Sequence, residues 1–569
     1  MDRFENWSAS RAAAAWSRGF AFALLPLALA CERAPEGAAE PEVHRGGTLV
    51  VAAPADLSQP NPFVAADEWT QEVNRELLYV PLLRLTPELE YAPGLAETWQ
   101  ADDSTATFTL RRDVRWSDGT PTSAHDVVFT IERLMDPATT SPNASYFSRW
   151  SSVEAPDSYT VRVRYEPHAE PLAGLPFMPI MPRHALDSIP AERMAQAAFN
   201  QRPVGNGPFR LVLAQRNDRW VFERNPDFPE SLGGPPNVDR LVWRVVTENT
   251  SQAVEVQTGQ AHLALAPSAQ DVPRLDARPD LRAIVKPSRK YAMIIWNGRR
   301  APLDQPQVRR ALMMAIDREE ILQALRDGHG ELAAGPIAPH HWAYDDDVRP
   351  LPFDSAGARR LLAEAGVADR NGDGRLETPG GQPFRIELKV AAASAFQRDM
   401  AEMIRSDLAA LGIDASVRPL EFNTLVGDLM SADRNFDAAL MGWSSDFKVN
   451  VRESFHSSAL DGPFQSAQYT NPEVDRLIEQ GETLVDRDEA RPVHRRLQEI
   501  MRDEQPWGFL YYFPDLYVAR EELKGVDMDI RGTFATAPDW WLDPEAAAPA
   551  DSAAPVAPAD SAAVAAGGE

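Results

Sequence analysis

Cysteine is almost missing from this chain: one, Cys31, stands among 569 residues. An internal disulfide and a cysteine-built metal centre are therefore both excluded. A basic excess is missing too, since 57 Lys and Arg face 84 Asp and Glu for a net charge of −27. The basic residues are mostly arginine and are scattered, so no nucleic-acid partner is expected; the plain reading of the acidity is solubility. Past Cys31 no apolar run approaches the roughly 20 residues that a membrane helix needs. No His-Glu-x-x-His, Gly-x-Ser-x-Gly or Walker phosphate loop occurs, and no short solenoid repeat. The ten histidines are dispersed. His340-His341 is the one adjacent pair, and its side chains diverge on a regular strand, so no metal site is expected there. Carboxylate pairs are common in so acidic a chain and carry little weight toward a glycosidase.

What is present is ordinary globular material, 44% hydrophobic and 25% charged, enough for a sizeable core. The length calls for roughly two to four folded units.

The N-terminus reads as an address. Phe20 to Ala30, FAFALLPLALA, is an apolar run behind Arg11 and Arg18, the length of a signal-peptide core. It ends in Leu27-Ala28-Leu29-Ala30-Cys31, which resembles a bacterial lipobox with Ala28 where Leu is usual. The expectation is a signal peptide over 1–30 and a lipidated Cys31 anchoring the chain to a membrane. The alternatives are an ordinary cleaved signal or a short buried helix. Residues 31–43 then form a flexible tether rich in Ala, Glu and Pro. The Ala/Pro/Ser-rich stretch 542–569 reads as a disordered tail.

Between these ends, strands and helices alternate. Thr105 to Arg111 places Ala106, Phe108 and Leu110 on one face of a half-buried strand. Ser117-Asp118-Gly119 marks a turn, and Ser123 with Asp126 forms a capping box for a helix that Pro137 halts. Phe384, Ile386, Leu388 and Val390 alternate as a second strand. A helix with the stripe Met400, Met403, Ile404, Leu408 and Leu411 follows, stopped by Gly412, and a strand opens at Ile413. Strand, helix, strand at this spacing predicts a parallel pair. A single helix is expected from Pro306 to Asp327, capped by Asp304 and Gln307, with Met313-Met314 as core filler.

Gly94 to Met135, GLAETWQADDSTATFTLRRDVRWSDGTPTSAHDVVFTIERLM, resembles the hallmark of the family-5 extracellular solute-binding proteins, the peptide- and nickel-binding components of ABC importers. Leu-Ala-Glu-x-Trp, Leu-Arg, Val-x-Trp-Ser-Asp-Gly-x-Pro and Asp-Val appear in the family's order. Further likenesses are Met181-Pro182-Arg183-His184, Pro203-Val204-Gly205-Asn206-Gly207-Pro208-Phe209, Glu223-Arg224-Asn225-Pro226-Asp227-Phe228, Trp296-Asn297, Val308 to Asp317-Arg318, and Tyr469 to Asp475. The resemblance covers roughly 46–541.

It implies an α/β, two-lobed periplasmic-binding-protein-like fold of the large three-subdomain type, with a hinge and an inter-lobe cleft. The first lobe would take 44–290, with an extra subdomain near 62–180. The second would take 291–512, and 513–541 would return to the first. The implied function is capture of dipeptides or oligopeptides by an exported, membrane-anchored, monomeric protein, without catalysis, for a permease pair and its ATPases. The same fold binding a nickel complex, an oligosaccharide or haem is the alternative within the binding class. A secreted two-domain hydrolase, or a sensor or adhesin, is the alternative outside it.

In peptide-binding members an Asp shortly after Gly-Trp holds the ligand amine. Here the segment is Gly442-Trp443-Ser444-Ser445-Asp446, so the resemblance assigns the amine to Asp446, with a surface turn as the bland reading. Asp446 follows a strand and would sit at its C-terminal end, where clefts form in open α/β sheets. Trp443 would line the pocket or fill the core. Phe447-Lys448-Val449-Asn450 replaces the family's usual Asp-Pro, which leaves the ligand class open. Asn61, Pro62 and Phe63 occupy an early loop that often faces ligand in this family. No cofactor is required. Asp369, Asn371 and Asp373 resemble the start of a calcium loop, but its twelfth position is Gly380, so a turn stiffened by its own side chains is the simpler reading.

Overall fold

The computed structural model describes residues 42–65 and 67–546. Cys31, the expected signal peptide and most of the expected tail lie outside the described residues. No helix among those described is long and apolar enough to cross a membrane.

The fold is α/β, built on two large sheets and a smaller third. In the first sheet Thr48–Ala53 runs parallel to both Arg240–Val245 and Leu263–Ala264. Phe209–Gln215 and Arg219–Arg224 extend one side, and Leu281–Lys286 and Asp515–Arg520 the other. The second sheet orders Glu331–Leu332, Trp507–Tyr512, Lys290–Trp296, Ala438–Ser444, Arg385–Ala391 and Asp414–Leu420. Its central strand is buried on both faces. Ala292, Ile294 and Trp296 enter one core, and Tyr291, Met293 and Ile295 the other. This is why KYAMIIW reads as an apolar run without alternation.

An antiparallel ribbon joins the two lobes. Leu281–Lys286 pairs with Asp515–Arg520 in the first sheet, and Lys290–Trp296 pairs with Trp507–Tyr512 in the second. Between them each chain crosses in two or three residues, and each crossing contains a proline, Pro287 and Pro514. Proline lacks the N–H that a ladder needs, so the ribbon breaks at the same level on both strands. Asp515 braces this hinge, 3.0 Å from Lys286 Nζ and 3.0 Å from Lys290 Nζ.

The third sheet, Ala96–Ala101, Thr105–Leu110, Thr160–Tyr165 and Trp150–Asp157, shares one core with the first lobe. Ala106, Phe108 and Leu110 point inward as their alternation predicts. Ser123 donates its N–H (2.8 Å) and hydroxyl (3.0 Å) to Asp126 at the start of Ala124–Met135. Arg385–Ala391 and Asp414–Leu420 form the expected parallel pair around the helix Ala395–Ala410. Gly412 has φ +97°, and a Cβ there would stand 2.5 Å from the Gly374 carbonyl oxygen, so only glycine fits.

The helix expected over 306–327 is two helices, Pro306–Ala315 and Arg318–Arg326. Ile316 turns to extended geometry, and Asp317 accepts the Glu320 N–H at 3.0 Å, which starts a new helix rather than continuing the old. The first of the two begins at Gln305 with no side-chain cap, so neither Asp304 nor Gln307 has the expected role.

Candidate functional site

Asp446 lies two residues beyond the strand Ala438–Ser444, on a loop held by the hinge. Ser445 donates its N–H to the Arg289 carbonyl at 2.9 Å, and Arg289 Nη1 donates back to the Ser445 carbonyl at 2.6 Å. The same guanidinium sits 4.2 Å from the centre of the Phe447 ring. Asp446 Oδ1 accepts the Phe447 N–H at 2.8 Å and, from the opposite lobe, the Tyr146 hydroxyl. Burial and the Asp446 carboxylate push the Tyr146 phenol well above its ordinary range, so it stays a donor. Lys448 Nζ lies 4.5 Å from the Tyr146 ring centre.

Beside this pair the lobes meet through rings. Phe177 of the first lobe stacks on Phe447 of the second, with centroids 4.3 Å apart and planes at 19°. Farther along the seam, Trp342 Nε1 donates to Glu170 Oε1 at 3.0 Å. Arg487 bridges Glu90 at 3.4 Å and Glu170 at 3.5 Å, and Ala169 donates its N–H to the Glu482 carbonyl. Burial raises the Glu170 carboxyl despite Arg487. At the hinge Glu68 reaches Arg289 at 3.4 Å.

Several cavities follow the seam. One of about 260 Å³ is lined by Tyr91, Phe177, His340, Trp342 and Phe447. Another of about 230 Å³ lies beside Tyr146, Arg149 and Lys448. A small one of about 30 Å³, walled by the second lobe alone, sits behind the seam against Asp446, Trp443, Phe455 and Trp507. Trp443 thus forms a wall next to Asp446 and packs edgewise on Phe464 and at a tilt on Trp507.

Asn61 and Phe63 are elsewhere, and the expectation that they face ligand is corrected. Both are fully buried. Asn61 spends its amide on Asn200 (2.9 Å) and accepts the Phe63 N–H (3.0 Å), while Phe63 packs edge-on against Phe129. Their turn is a structural plug of the first lobe, because its polar groups are satisfied internally. Sequence reasoning missed Tyr146, Phe177, Arg289, Trp342 and Arg487. They come from distant segments, and none carries a local signature.

His340 and His341 do not converge as ligands; their ring centroids are 6.3 Å apart. Burial drives His340 down to about 4, His341 to about 3 and His494 to about 4. Neither nitrogen of His340 has a hydrogen-bond partner, nor does His341 Nε2 or His494 Nδ1. Among the described residues, the one group of three or more potential metal ligands is Asp369, Asp373 and Glu377, within 4.8 Å of one another. Glu377 stands at the ninth position of the calcium-like stretch, and the carboxylates of Asp369 are occupied by the N–H groups of Gly372 and Gly374.

Comparison with known proteins agrees in sequence and in fold. The model of the bacterial extracellular solute-binding proteins, family 5, middle region, matches residues 90–457. The oligopeptide-binding protein AppA of Bacillus subtilis is 27% identical over 516 residues, 90% of this chain and 94% of that one. The heme-binding protein A of Haemophilus influenzae is 29% identical over 439 residues, 73% and 78% of the two chains. The structure of the Bacillus subtilis AppA in complex with a nonapeptide superposes with a TM-score of 0.76 at 26% identity, covering 88% of this chain and 100% of that one.

Proposed function

The chain belongs to the bacterial extracellular solute-binding proteins of family 5, and on that premise we propose that it captures peptides between its lobes and delivers them to an ABC importer. The observation that carries this reading is Asp446. It is a carboxylate at the inter-lobe seam, backed by one backbone N–H and covered by a neutral hydroxyl from the other lobe. A peptide amine, protonated at neutral pH and below, is a cation of the right size to replace that hydroxyl. The charge-assisted bond it forms gains strength from partial burial. Basic side chains near the loop have other commitments: Arg289 to the Ser445 carbonyl and the Phe447 ring, Lys448 to the Tyr146 ring.

On this reading the protein binds and releases without breaking bonds. It acts as an exported monomer, lipidated at Cys31, and a permease with its ATPases receives the load. Mass spectrometry of membrane-extracted protein tests the anchor: a diacylglyceryl-sized increment on the peptide that begins at Cys31 supports it.

The function is tested by calorimetric titration of short peptides into the parent protein and the D446A variant. Binding by the parent and its loss in the variant supports the proposal. Heat from haem or a nickel complex, with none from peptides, would assign the cleft to the other ligand class.

A further inference from the structure

The seam cavity of about 260 Å³ lies one residue from Asp446, since Phe447 is both the neighbour of that carboxylate and a wall of the chamber. Its walls come from both lobes. Tyr91 and Phe177 stand on one side, and His340, Trp342 and Phe447 on the other. The cations at its edge are already committed. Arg487 is shared by Glu90 and Glu170, and Arg487 and Arg491 lie 5.3 and 5.9 Å from the Trp342 ring centre. An anionic guest would disturb these pairs without gaining a free cation. A small guest would leave ring surface without contacts. A cavity of about 150 Å³ is large enough for benzene, so this one, with rings and charged groups both in its wall, has room for a phenol or an indole. His340 adds an imidazole ring to the wall.

Resting on the peptide reading above, we infer that the preferred ligands are peptides with tryptophan or tyrosine in the first or second position. The amine is held at Asp446 and the aromatic ring lies in the chamber between Phe177, Trp342 and His340. An extended peptide advances about 3.3 Å per residue, so only the first side chains reach this chamber from Asp446. Because both lobes supply its walls, filling it also favours their closure.

The experiment is calorimetric titration of the full chain with Ala-Ala-Ala, Trp-Ala-Ala, Ala-Trp-Ala and Ala-Glu-Ala. At least one tryptophan peptide is expected to bind about tenfold tighter than Ala-Ala-Ala, and Ala-Glu-Ala no tighter than Ala-Ala-Ala. Ala173 also lines the chamber, and A173L, which narrows it, is expected to shrink the tryptophan preference. Equal affinity for the alanine and tryptophan peptides overturns the inference while leaving peptide capture standing. Failure of all four to bind overturns the peptide reading and this inference with it.

Discussion

The hydroxyl of Tyr146 donates to the carboxylate of Asp446, joining two residues 300 positions apart across the inter-lobe seam. The bond gives the lobes a contact that a ligand amine must displace. Tyr146 therefore competes with the ligand for Asp446. Y146F keeps the ring under Lys448 and removes the competitor. A hydrogen bond to a charged carboxylate is worth about 1.5–3 kcal/mol, so peptide affinity is expected to rise by about tenfold or more in a calorimetric titration. A fall in affinity would show that the hydroxyl orients the carboxylate instead.

Histidines make closure sensitive to pH. His340, His341 and His494 are held at about 4, 3 and 4, chiefly by burial; Arg289 adds to the effect on His340, and His340 adds to the effect on His341. When the lobes part and water reaches these rings, they return toward the ordinary value of about 6.5. A depressed histidine favours the closed form fully above about pH 6.5, and the contribution is lost as pH falls toward 4, because the open form then binds protons that the closed form refuses. Through these rings peptide affinity is expected to weaken steadily below pH 6, and it falls again above about pH 8 as the ligand amine loses the proton that Asp446 recognises. The double variant H340Q/H494Q should flatten the decline on the acid side. An unchanged slope would remove these two rings from the linkage.

Asp515 is the brace of the hinge. Burial pushes its carboxyl upward, but Lys290 and Lys286 outweigh that and hold it below the ordinary carboxylate range. Its stabilising effect is present above the ordinary aspartate value of about 3.9 and is lost as pH falls below it. Lys286 is nearly buried, so D515A leaves an unpaired charge inside the hinge. A loss of about 3–5 kcal/mol is expected, read as a lower midpoint in denaturant unfolding. An unchanged midpoint would mean that water already solvates the lysines.

The break between the two helices near Asp317 has its own test. D317A removes the cap on the Glu320 N–H and is expected to cost about 1 kcal/mol in the same unfolding measurement. No change would show that the tertiary core alone fixes the break.

Local pattern carried much of the fold. Ala106, Phe108 and Leu110, the Ser123–Asp126 box and the parallel strands around Ala395–Ala410 were all legible, because periodicity and capping act over a few residues. The division at Ile316 was not legible, since the apolar stripe continues through it while the backbone turns. Lys389 stands between Leu388 and Val390 of the alternating strand, yet it is buried on Asp428 at 2.8 Å, a partner 39 residues away. The position of Asp446 just past a strand could be read from the chain. Its seam partners could not, because Tyr146, Phe177 and Trp342 meet it only through the topology of two lobes. The same limit explains Asn61 and Phe63, whose loop looks exposed in sequence and is closed by Asn200 and Phe129 in the fold.

The most direct measurement compares a tripeptide with its N-acetylated form by calorimetry, against both the parent protein and D446N. Acetylation is expected to weaken binding to the parent by about tenfold or more and to make little difference to D446N, because the cation and the carboxylate are one interaction. Equal binding of the free and acetylated peptides by the parent protein would contradict it.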